Sequence, residues 1–377
     1  MKSDGDKTSK TVAIALTPLD VAAFRDGRPF NAGQMAKSRL PSAQSLAGAL
    51  RTALMERFGC DFSRFGELMQ SGTPYEQALE GAGAPGWIAR VAFKGPWLAR
   101  RNAQGLDVYL PVPANLYREK STPSKIHCLV PLSEQNKVPG WKPFDDEPRM
   151  RPLWPRTKAR LERCKGWIGL DGLRRFLAGQ SMLSETLVSE TEGESLFSFD
   201  RRTGIGIDPD ALSTQTGLIY AIGFLALAPD VCFYGEMVLP EDAPSDPIGK
   251  IEVLAFGGEA RRSRIESVER VLWPEAPALK TSQKPFLLLT APGFWKGGWK
   301  PEPLSGRLAG AAVPGHVVIS GWDLAKGGPK PSRFGAPAGS VYFSCDELAD
   351  FPDRLAEENE DRLLGYGTYL KGVWNNG

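Results

Sequence analysis

The sequence has 377 residues, of which 42% are hydrophobic and 24% charged, a composition typical of a globular protein long enough for two domains that excludes a fibrous or disordered chain. Its five cysteines are scattered and form no C-x-x-C pair, so neither a disulfide framework nor a zinc site is indicated, and we expect no metal and no cofactor. The formal net charge of +2 is too small to indicate a nucleic-acid partner by itself.

The apolar segments argue against a membrane protein. The longest apolar run, residues 218–231, is shorter than the roughly 20 apolar residues that span a bilayer, and Pro229 interrupts it. The first ten residues are polar and charged, with no apolar stretch before the first predicted strand. We therefore expect no membrane association and a cytoplasmic location.

The first half of the chain predicts strands around one clear helix and one long insertion. Residues 11–19 predict a strand, and residues 42–58 predict an amphipathic helix that Ser42 caps. The other predicted elements are paired strands at 87–98 and 105–112 with a turn at 99–104, a helix at 166–177, and a strand, turn and strand at 196–208. Residues 113 to about 165 show no sustained period, so we interpret them as a partly irregular insertion with a function.

The second half repeats this pattern of many strands and few helices. Its predicted elements are a strand pair from residue 218, a short helix at 246–254, a turn at 256–259, strands at 286–291, 316–322 and 340–345, a glycine-rich loop at 327–339 and a helix at 347–364. The strict alternation of a doubly wound sheet is missing, so we predict an α+β protein. Two ferredoxin-like (RRM-like) domains fit the element order best, at 1–212 with the insertion and at 213–377.

Catalytic side chains are scarce in the sequence. The two histidines, His127 and His316, lie in no recognisable catalytic pattern. His127 and Cys128 are neighbours on an extended segment, where their side chains point to opposite faces, which argues against a Cys–His pair. The sequence has no G-x-S-x-G, phosphate-loop, H-E-x-x-H or zinc-deaminase pattern. We therefore predict a protein without catalytic residues.

Glycine next to cationic and aromatic residues recurs in five segments, at 24–30, 201–206, 256–262, 294–300 and 365–374. Glycine lets a backbone approach a phosphate, arginine adds bidentate charge, and aromatic rings stack on unpaired bases. The candidate RNA-binding residues in these segments are Arg25, Arg28, Arg201, Arg202, Gly204, Gly206, Gly257, Gly258, Arg261, Arg262, Lys296, Gly297, Gly298, Gly365, Gly367, Lys371 and Gly372. We interpret Asp26 as the first residue of an Asp-Gly turn rather than as a metal ligand.

Charge is unevenly distributed along the chain. Residues 149–175 are densely basic and are opposed only by Glu162 and Asp171, whereas carboxylates dominate residues 346–361. The basic stretch is suited to face phosphate and the acidic stretch is not. Solvated surface remains the alternative interpretation of both.

Six motifs occur in an order that is specific to one group of proteins. They are LTPLDVAAFRDGRPFNAG, LPSAQSLAGALRTAL, RRTGIGID, FGGEARR, GWDLAKGGPKP followed by AGSVYF, and GYGTYLKGVW. Together they resemble the repeat-associated mysterious proteins (RAMPs) of CRISPR systems and, within these, the third-subunit family of the type III-B (Cmr) effector complex. The motifs span nearly the whole chain, although residues 113–158 carry none that can be matched.

The resemblance implies two ferredoxin-like RAMP domains and a subunit that caps the 5′ repeat-derived tag of the CRISPR RNA in antiviral defence. It implies contact with the large cyclase-type subunit and with the adjoining backbone RAMP subunit, with target RNA nearby. Because target cleavage in such complexes belongs to the backbone subunits, it also implies a non-catalytic chain. Gly365, Gly367 and Gly372 match the C-terminal glycine-rich loop of the family, and the segments 24–30, 201–206 and 256–262 match positions near its RNA groove.

Two other functions remain open on the sequence. The first is an endoribonuclease of the same superfamily that processes CRISPR RNA, with His127, Tyr366 or a lysine as acid and base. The second is a structural scaffold whose glycine loops are only turns. Cleavage of repeat RNA would distinguish the first, and salt-insensitive RNA binding the second.

Overall fold

The computed structural model describes residues 10–24, 35–136, 138–189, 195–207, 214–323, 327–348 and 351–375, without the side chains of 35–37, 204–207, 214–221, 322–323 and 329. The chain divides into two compact units, each built from three separated segments. The first unit comprises Met1–Pro96, Phe197–Arg270 and Ile319–Ser332, and the second comprises Trp97–Leu196, Val271–Val318 and Arg333–Gly377. The domain boundary predicted at residue 212 lies outside the described residues.

Within these residues the chain forms six α-helices, twenty-two strands and two short 3₁₀ turns, at Ser184–Thr186 and Glu302–Leu304. The helices are α1 Ala43–Arg57, α2 Phe62–Gln70, α3 Tyr75–Gly81, α4 Trp87–Arg90, α5 Leu170–Leu177 and α6 Asn359–Leu364. The strands are β1 Lys10–Pro18, β2 Met35–Lys37, β3 Ala92–Asn102, β4 Gly105–Pro111, β5 Leu116–Glu119, β6 Ile126–Cys128, β7 Val130–Pro131, β8 Leu153–Trp154, β9 Leu161–Arg163, β10 Trp167–Ile168, β11 Leu187–Val188, β12 Phe197–Ile207, β13 Thr214–Leu227, β14 Val231–Leu239, β15 Val253–Ala255, β16 Arg262–Val268, β17 Gln283–Leu289, β18 Leu308–Ala312, β19 Val317–Asp323, β20 Gly328–Gly335, β21 Val341–Ser344 and β22 Tyr369–Asn375. None of the helices in the described ranges is long and apolar enough to cross a membrane.

The first unit contains a sheet in which β14, β1, β16 and β15 are neighbours in that order. Strand β1 pairs antiparallel with β14, from Lys10↔Leu239 to Leu16↔Phe233, and with β16 on its other side. Helix α1 lies directly over β14, because a Cβ on Gly235 would sit 2.9 Å from the Leu46 side chain. The apolar residues at helical spacing on α1 are therefore buried against the sheet: Leu46, Leu50 and Leu54.

A second sheet of the first unit carries the long β12–β13 hairpin. Its strands pair antiparallel from Phe197↔Leu227 to Ile205↔Ile219, followed by a register shift before Ile207. Strand β2 adds to β13 in parallel, which completes the order β12-β13-β2. Strand β12 carries the predicted segment 201–206.

The second unit is centred on a four-stranded antiparallel sheet in the order β18-β21-β17-β22. Strand β17 pairs with β22 along its full length, from Gln283↔Asn375 to Leu289↔Tyr369. The core on this sheet contains Leu287, Leu289, Trp295, Leu304, Leu308, Ala336, Tyr342, Leu348 and Leu355. The insertion belongs to this unit and adds five short strands, β5 to β9.

Much of the predicted secondary structure is confirmed. Strand β1 and helix α1 lie where predicted, and the Ser42 hydroxyl accepts a hydrogen bond from the Ser45 N–H at 3.1 Å. The strand pair from residue 218 and the strands near 286, 316 and 340 are also present. The fold class is mixed α+β with several antiparallel sheets, as predicted.

Two predicted helices are wrong. Residues 246–254 form no helix, because Pro247 and Gly249 break the pattern and Asp246 accepts a hydrogen bond from the Gly249 N–H in a turn. Of the helix predicted at 347–364, the described residues form only α6, Asn359–Leu364, since Pro352 interrupts the acidic stretch. The predicted helix at 166–177 likewise begins only at Leu170, after strand β10.

One predicted strand and three predicted turns or loops differ from the structure. Residues 87–90, predicted as strand, form helix α4. The predicted hairpin is confirmed, but β3 runs to Asn102, so its turn is shorter than the predicted 99–104. Residues 197–207 form one continuous strand, because the long partner β13 supplies pairing on both sides of Gly204. The Gly/Pro-rich segment 327–339 is mostly strand β20, which pairs with β19. Pairing partners therefore outweighed local glycine and proline content.

Candidate nucleic-acid interface

The segment after β1, the β12–β13 hairpin and the FGGEARR loop meet in the first unit; the glycine-rich segment 24–30 lies outside the described residues beyond Phe24. The segment after β1 is held to β13 by two reciprocal hydrogen bonds, from the Ala22 N–H to the Leu225 carbonyl at 2.8 Å and from the Leu225 N–H to the Ala22 carbonyl at 2.7 Å. The Gly258 N–H donates to the Ala23 carbonyl at 2.7 Å. The early LTPLDVAAF motif, the β12–β13 hairpin and the FGGEARR loop are thus tied together through their backbones.

The FGGEARR loop has an unusual backbone. Gly257 has a φ of 109°, and a Cβ there would lie 2.8 Å from the Ala23 carbonyl oxygen, so glycine is required for the close approach of the two segments. Glu259 and Ala260 have φ values of 56° and 53°, which non-glycine residues rarely adopt. Such conformations persist where surrounding contacts impose them and are concentrated at binding sites.

Two predicted arginines converge at this junction. The guanidinium groups of Arg261 and Arg202 both lie near the ring of Phe224, at 4.6 Å and 5.2 Å from its centroid. Both guanidinium groups also donate to the same Asp20 oxygen, at 3.2 Å from Arg261 and 3.4 Å from Arg202. We call the set Asp20, Asp200, Arg202, Phe224 and Arg261 the arginine–phenylalanine cluster.

Strand geometry explains why these side chains meet. Asp200 and Arg202 are two residues apart on β12 and share one face of the hairpin. Arg202 lies opposite Ile222 in the ladder, so Phe224 is its diagonal neighbour on that face. Arg202 donates from Nε to Asp200 at 2.9 Å, and this hydrogen bond raises the pKa of the guanidinium. The cluster therefore holds two permanent cations against one aromatic ring.

Arg201 and Arg262 have different surroundings from the clustered arginines. Arg201 alternates with Arg202 on β12, so its side chain points to the opposite face, near Phe199, which is 50% exposed. Arg262 is exposed at the start of β16, where its carbonyl accepts a hydrogen bond from the Leu19 N–H. Neither side chain forms an ion pair with another residue of the described ranges. These two arginines are available to an external anion.

The remaining predicted residues of the first unit are less informative. Arg25 and Arg28 lie outside the described residues. Gly204 and Gly206 lie in β12, and the register shift of the hairpin occurs between Ile205 and Ile207. Glycine is common at such irregularities because it adapts to the local bend.

The predicted Lys296-Gly297-Gly298 segment is an exposed turn of the second unit. The Gly298 N–H donates to the Trp295 carbonyl at 3.0 Å, and the Lys296 N–H donates to the Glu357 carboxylate at 3.0 Å. Gly298 has a φ of 77° with no neighbour that a Cβ would contact. The Trp295 indole N–H donates to the Leu355 carbonyl and anchors the turn.

The glycines of the C-terminal segment are buried, and each has a local structural role. Gly365 ends helix α6 in the left-handed conformation, at a φ of 93°. At Gly367, with a φ of 68°, a Cβ would lie 2.8 Å from the Leu355 backbone, and at Gly372 it would lie 2.2 Å from the Phe286 ring. Lys371 donates from Nζ to the Leu348 carbonyl at 3.0 Å. These observations account for the glycines without a ligand.

A second arginine–phenylalanine contact lies next to this segment. The Arg333 guanidinium lies 4.6 Å from the centroid of Phe294, and its two Nη atoms donate to the two Asp361 oxygens, both at 2.6 Å. Tyr366, 1% exposed, packs edge-on against the same phenylalanine ring, with centroids 4.9 Å apart. We call Arg333, Asp361 and Phe294 the Arg333 site.

A family model described as CRISPR-associated protein (Cas_Cmr3) matches residues 14–374, which is nearly the whole chain. The chain belongs to the Cmr3 family of CRISPR-associated proteins. The resemblance predicted from the six motifs is therefore confirmed. Among curated proteins none matches the chain.

Several solved structures are similar to this Cmr3-family protein. A chain of a cryo-EM structure of the Type III-B Cmr-beta bound to cognate target RNA and AMPPnP is 15% identical, with a TM-score of 0.49 over 88% of this chain and 86% of that chain. Chains of two crystal structures of a Csm1-Csm4 cassette, with AMPPNP and with cA4, are 12% and 13% identical, with TM-scores of 0.34 and 0.36. They cover 88% and 91% of this chain, and 86% and 92% of their own. The family assignment rests on the sequence match.

Sequence reasoning missed three residues of the cluster in the Cmr3-family chain. Asp20 lies inside the LTPLDVAAF motif, shortly before the predicted cationic segment 24–30. An acidic residue at that position could have been predicted to pair with an arginine. Asp200 directly precedes the predicted arginines, where alternation along a strand would have paired it with Arg202 rather than Arg201. Phe224 lies in an apolar run and carries no signal, because only the hairpin register brings it beneath Arg202.

His127, one of the candidates for acid or base in the endoribonuclease alternative, is engaged in a local contact. His127, on β6, is 2.8 Å from a carboxylate oxygen of Glu119, on β5, and this contact lowers the pKa of Glu119. Cys128 accepts a hydrogen bond from the Asn115 amide. The described part of the chain also holds no group of three or more His, Cys, Asp or Glu residues arranged to bind a metal ion. His316 packs near Phe334 at 5.8 Å.

Proposed function

We propose that this Cmr3-family chain is a non-catalytic RNA-binding subunit of a type III-B CRISPR effector complex, in which it binds and caps the 5′ repeat-derived tag of the CRISPR RNA in antiviral defence. Family membership supports the setting. The observation that carries the RNA-binding role is the meeting of the segment after β1, the β12–β13 hairpin and the FGGEARR loop at the arginine–phenylalanine cluster.

The clustered arginines and the neighbouring exposed arginines have different roles in the proposed RNA contact. Arg202 and Arg261 have donors engaged with carboxylates and are positioned over Phe224, so they stiffen the junction and present guanidinium faces on which a base can stack. Arg201 and Arg262 are exposed and supply charge to phosphates. Glu259 and Ala260 have the left-handed backbone that occurs in turns whose N–H groups bind anions, which supports a phosphate contact at this loop.

The proposal extends to architecture and partners. We propose that the chain folds as two ferredoxin-like RAMP domains, at 1–212 and 213–377, and that it links the large cyclase-type subunit to the backbone RAMP subunit, with target RNA nearby. Family membership and the α+β fold with its antiparallel sheets support this assignment. RNA contact by Lys296, Gly297, Gly298, Gly365, Gly367, Lys371 and Gly372 stays a prediction from the sequence.

Salt-dependent binding of a tag-bearing RNA tests the RNA-binding role. Because each phosphate contact on a single strand contributes about 0.7 to the slope of log affinity against log salt, Arg201→Gln with Arg262→Gln should flatten the slope by about 1.4. Arg202→Gln with Arg261→Gln should weaken binding with a smaller change in slope, because these cations are already paired.

A matched control removes two exposed lysines elsewhere, Lys142→Gln with Lys250→Gln. This control should leave both the affinity and the slope near those of the unmodified chain. If the arginine variants behave like the control, the chain is a scaffold and the proposal is wrong.

The endoribonuclease alternative has a separate test. Incubation of the purified chain with repeat RNA without metal should leave the RNA intact. Site-specific cleavage that His127→Ala abolishes would contradict the non-catalytic assignment.

A further inference from the structure

A short segment of the insertion carries an exposed aromatic ring and three exposed cations. From residue 154 to residue 160 exposed and half-buried positions alternate. The exposed positions are Trp154, Arg156, Lys158 and Arg160, and we call these four residues the basic stripe. We propose that the basic stripe is a second contact surface for single-stranded RNA.

Hydrogen bonds hold the main chain of the segment at both ends. Before the stripe, Leu153 and Trp154 pair with Pro131 and Val130 in the β7–β8 ladder. After it, the Arg160 carbonyl accepts from the Lys120 N–H at 2.9 Å, and β9 pairs with β5. Between these anchors the Ala159 N–H donates to the Thr157 hydroxyl at 3.1 Å. The side chains therefore project from a positioned backbone, which reduces the entropy lost on binding.

The cations of the stripe are not neutralised by the protein. Arg156, Lys158 and Arg160 form no ion pair with any residue of the described ranges. Nearby arginines of the same insertion behave differently, since Arg149 donates to both oxygens of Asp346, at 2.9 Å and 2.7 Å. The structure thus separates anchoring arginines of the insertion from cations that face outward.

The chemistry of the stripe favours RNA over an acidic protein. Trp154 is 49% exposed and lies two residues before the first of these exposed cations, and an exposed aromatic ring combined with positive charge is the chemistry that binds unpaired bases and their phosphates. An acidic peptide would use the charges but would leave the indole without a specific partner. The choice of RNA rests on the proposed function, although the stripe and the arginine–phenylalanine cluster belong to different units.

The test measures the affinity of the full chain for a short single-stranded RNA of mixed sequence. Trp154→Ala should weaken binding roughly five-fold or more, whereas Trp154→Phe, which keeps a stacking ring, should stay near the unmodified chain. Arg156→Gln, Lys158→Gln and Arg160→Gln together should reduce the salt slope by about 2. The matched control is Lys142→Gln, Lys250→Gln and Lys280→Gln, three exposed lysines outside the stripe.

Polyglutamate serves as the competing probe. We expect RNA affinity to depend on both the tryptophan and the cations, and any polyglutamate binding to be insensitive to Trp154→Ala. RNA affinity equal to that of the control variant would overturn the proposal. So would polyglutamate binding that depends on the stripe while RNA binding does not, because the stripe would then be a surface for an acidic protein.

The same assay separates this inference from the proposed function. If the Arg202 and Arg261 variants lose RNA affinity and the stripe variants do not, the tag-binding role stands and the stripe assignment is wrong. If only the stripe variants lose affinity, the stripe assignment stands and the placement of the tag at the arginine–phenylalanine cluster is wrong.

Discussion

The arginine–phenylalanine cluster and the Arg333 site contain the same contact in two different settings. Arg261 lies 4.6 Å from the Phe224 ring, and Arg333 lies 4.6 Å from the Phe294 ring. The carboxylates differ, since Asp20 is 57% exposed and shared by two arginines, whereas Asp361 is 3% exposed and bound by both Nη atoms of one arginine. The two contacts therefore differ in the exposure of the carboxylate rather than in the pairing itself.

The glycines beside the two sites show the same difference. Gly257 lets the 256–261 loop approach the segment after β1, and the loop then continues through exposed residues. Gly365 and Gly367 are buried in the second unit, and Gly365 ends helix α6. The two glycine-rich motifs therefore differ in burial, since the first is exposed and the second is buried.

Arg333→Ala should give the largest loss of stability. It would leave the buried Asp361 carboxylate without its bidentate partner, and since the guanidinium is partly exposed we expect a loss of about 2–3 kcal/mol in the free energy of unfolding. The affinity for tag RNA should not change. Urea denaturation and RNA titration of the same preparation measure both quantities.

Arg261→Ala is the matched substitution in the other setting. Its exposed ion pair and its ring contact together should contribute about 1 kcal/mol or less to stability, while RNA affinity should fall. Equal losses of stability in the Arg333→Ala and Arg261→Ala variants would remove the distinction between the two sites.

Gly367→Ala tests the structural role of the C-terminal segment. The new Cβ would meet the Leu355 backbone at 2.8 Å in a left-handed conformation, so we expect a loss of about 2–4 kcal/mol. Gly298→Ala is the control, because Gly298 is also left-handed but faces open space, and it should cost about 1–2 kcal/mol. Thermal denaturation compares the two, and similar costs would argue that packing at Gly367 is unimportant.

The smallest expected effect is the coupling between Asp20 and Arg261. Both side chains reach solvent, so a double-mutant cycle with Asp20→Asn and Arg261→Gln should give about 0.2–1 kcal/mol. A coupling free energy above about 2 kcal/mol would be as large as that expected for the buried pair of Arg333 and Asp361. It would contradict the claim that exposure of the carboxylate separates the two sites.

Local patterns predicted the elements that depend on local chemistry. Helix α1 followed from its apolar spacing and from Ser42, and β1 followed from its apolar run. The order of the motifs along the sequence was sufficient to indicate the family. The single strand at 197–207 could not be predicted, because its continuity depends on pairing with β13, which follows after residue 213.

The same limit applies to the candidate site. Arg202 and Arg261 were predicted from their motifs, but Phe224 and the shared use of Asp20 arise from hairpin register and from the hydrogen bonds at Ala22 and Ala23. The C-terminal glycines were predicted as RNA-facing from their composition. Their burial depends on contacts with Leu355 and Phe286, which no local pattern in the sequence connects to them.

Photo-crosslinking of the full chain to tag RNA that carries a photoreactive base, followed by mapping of the crosslinked peptides, tests the central claim most directly. We predict crosslinks in the peptides that contain residues 197–202 and 256–264, whether or not the basic stripe also reacts. Crosslinks confined to residues 365–374, with none in the first unit, would contradict the account.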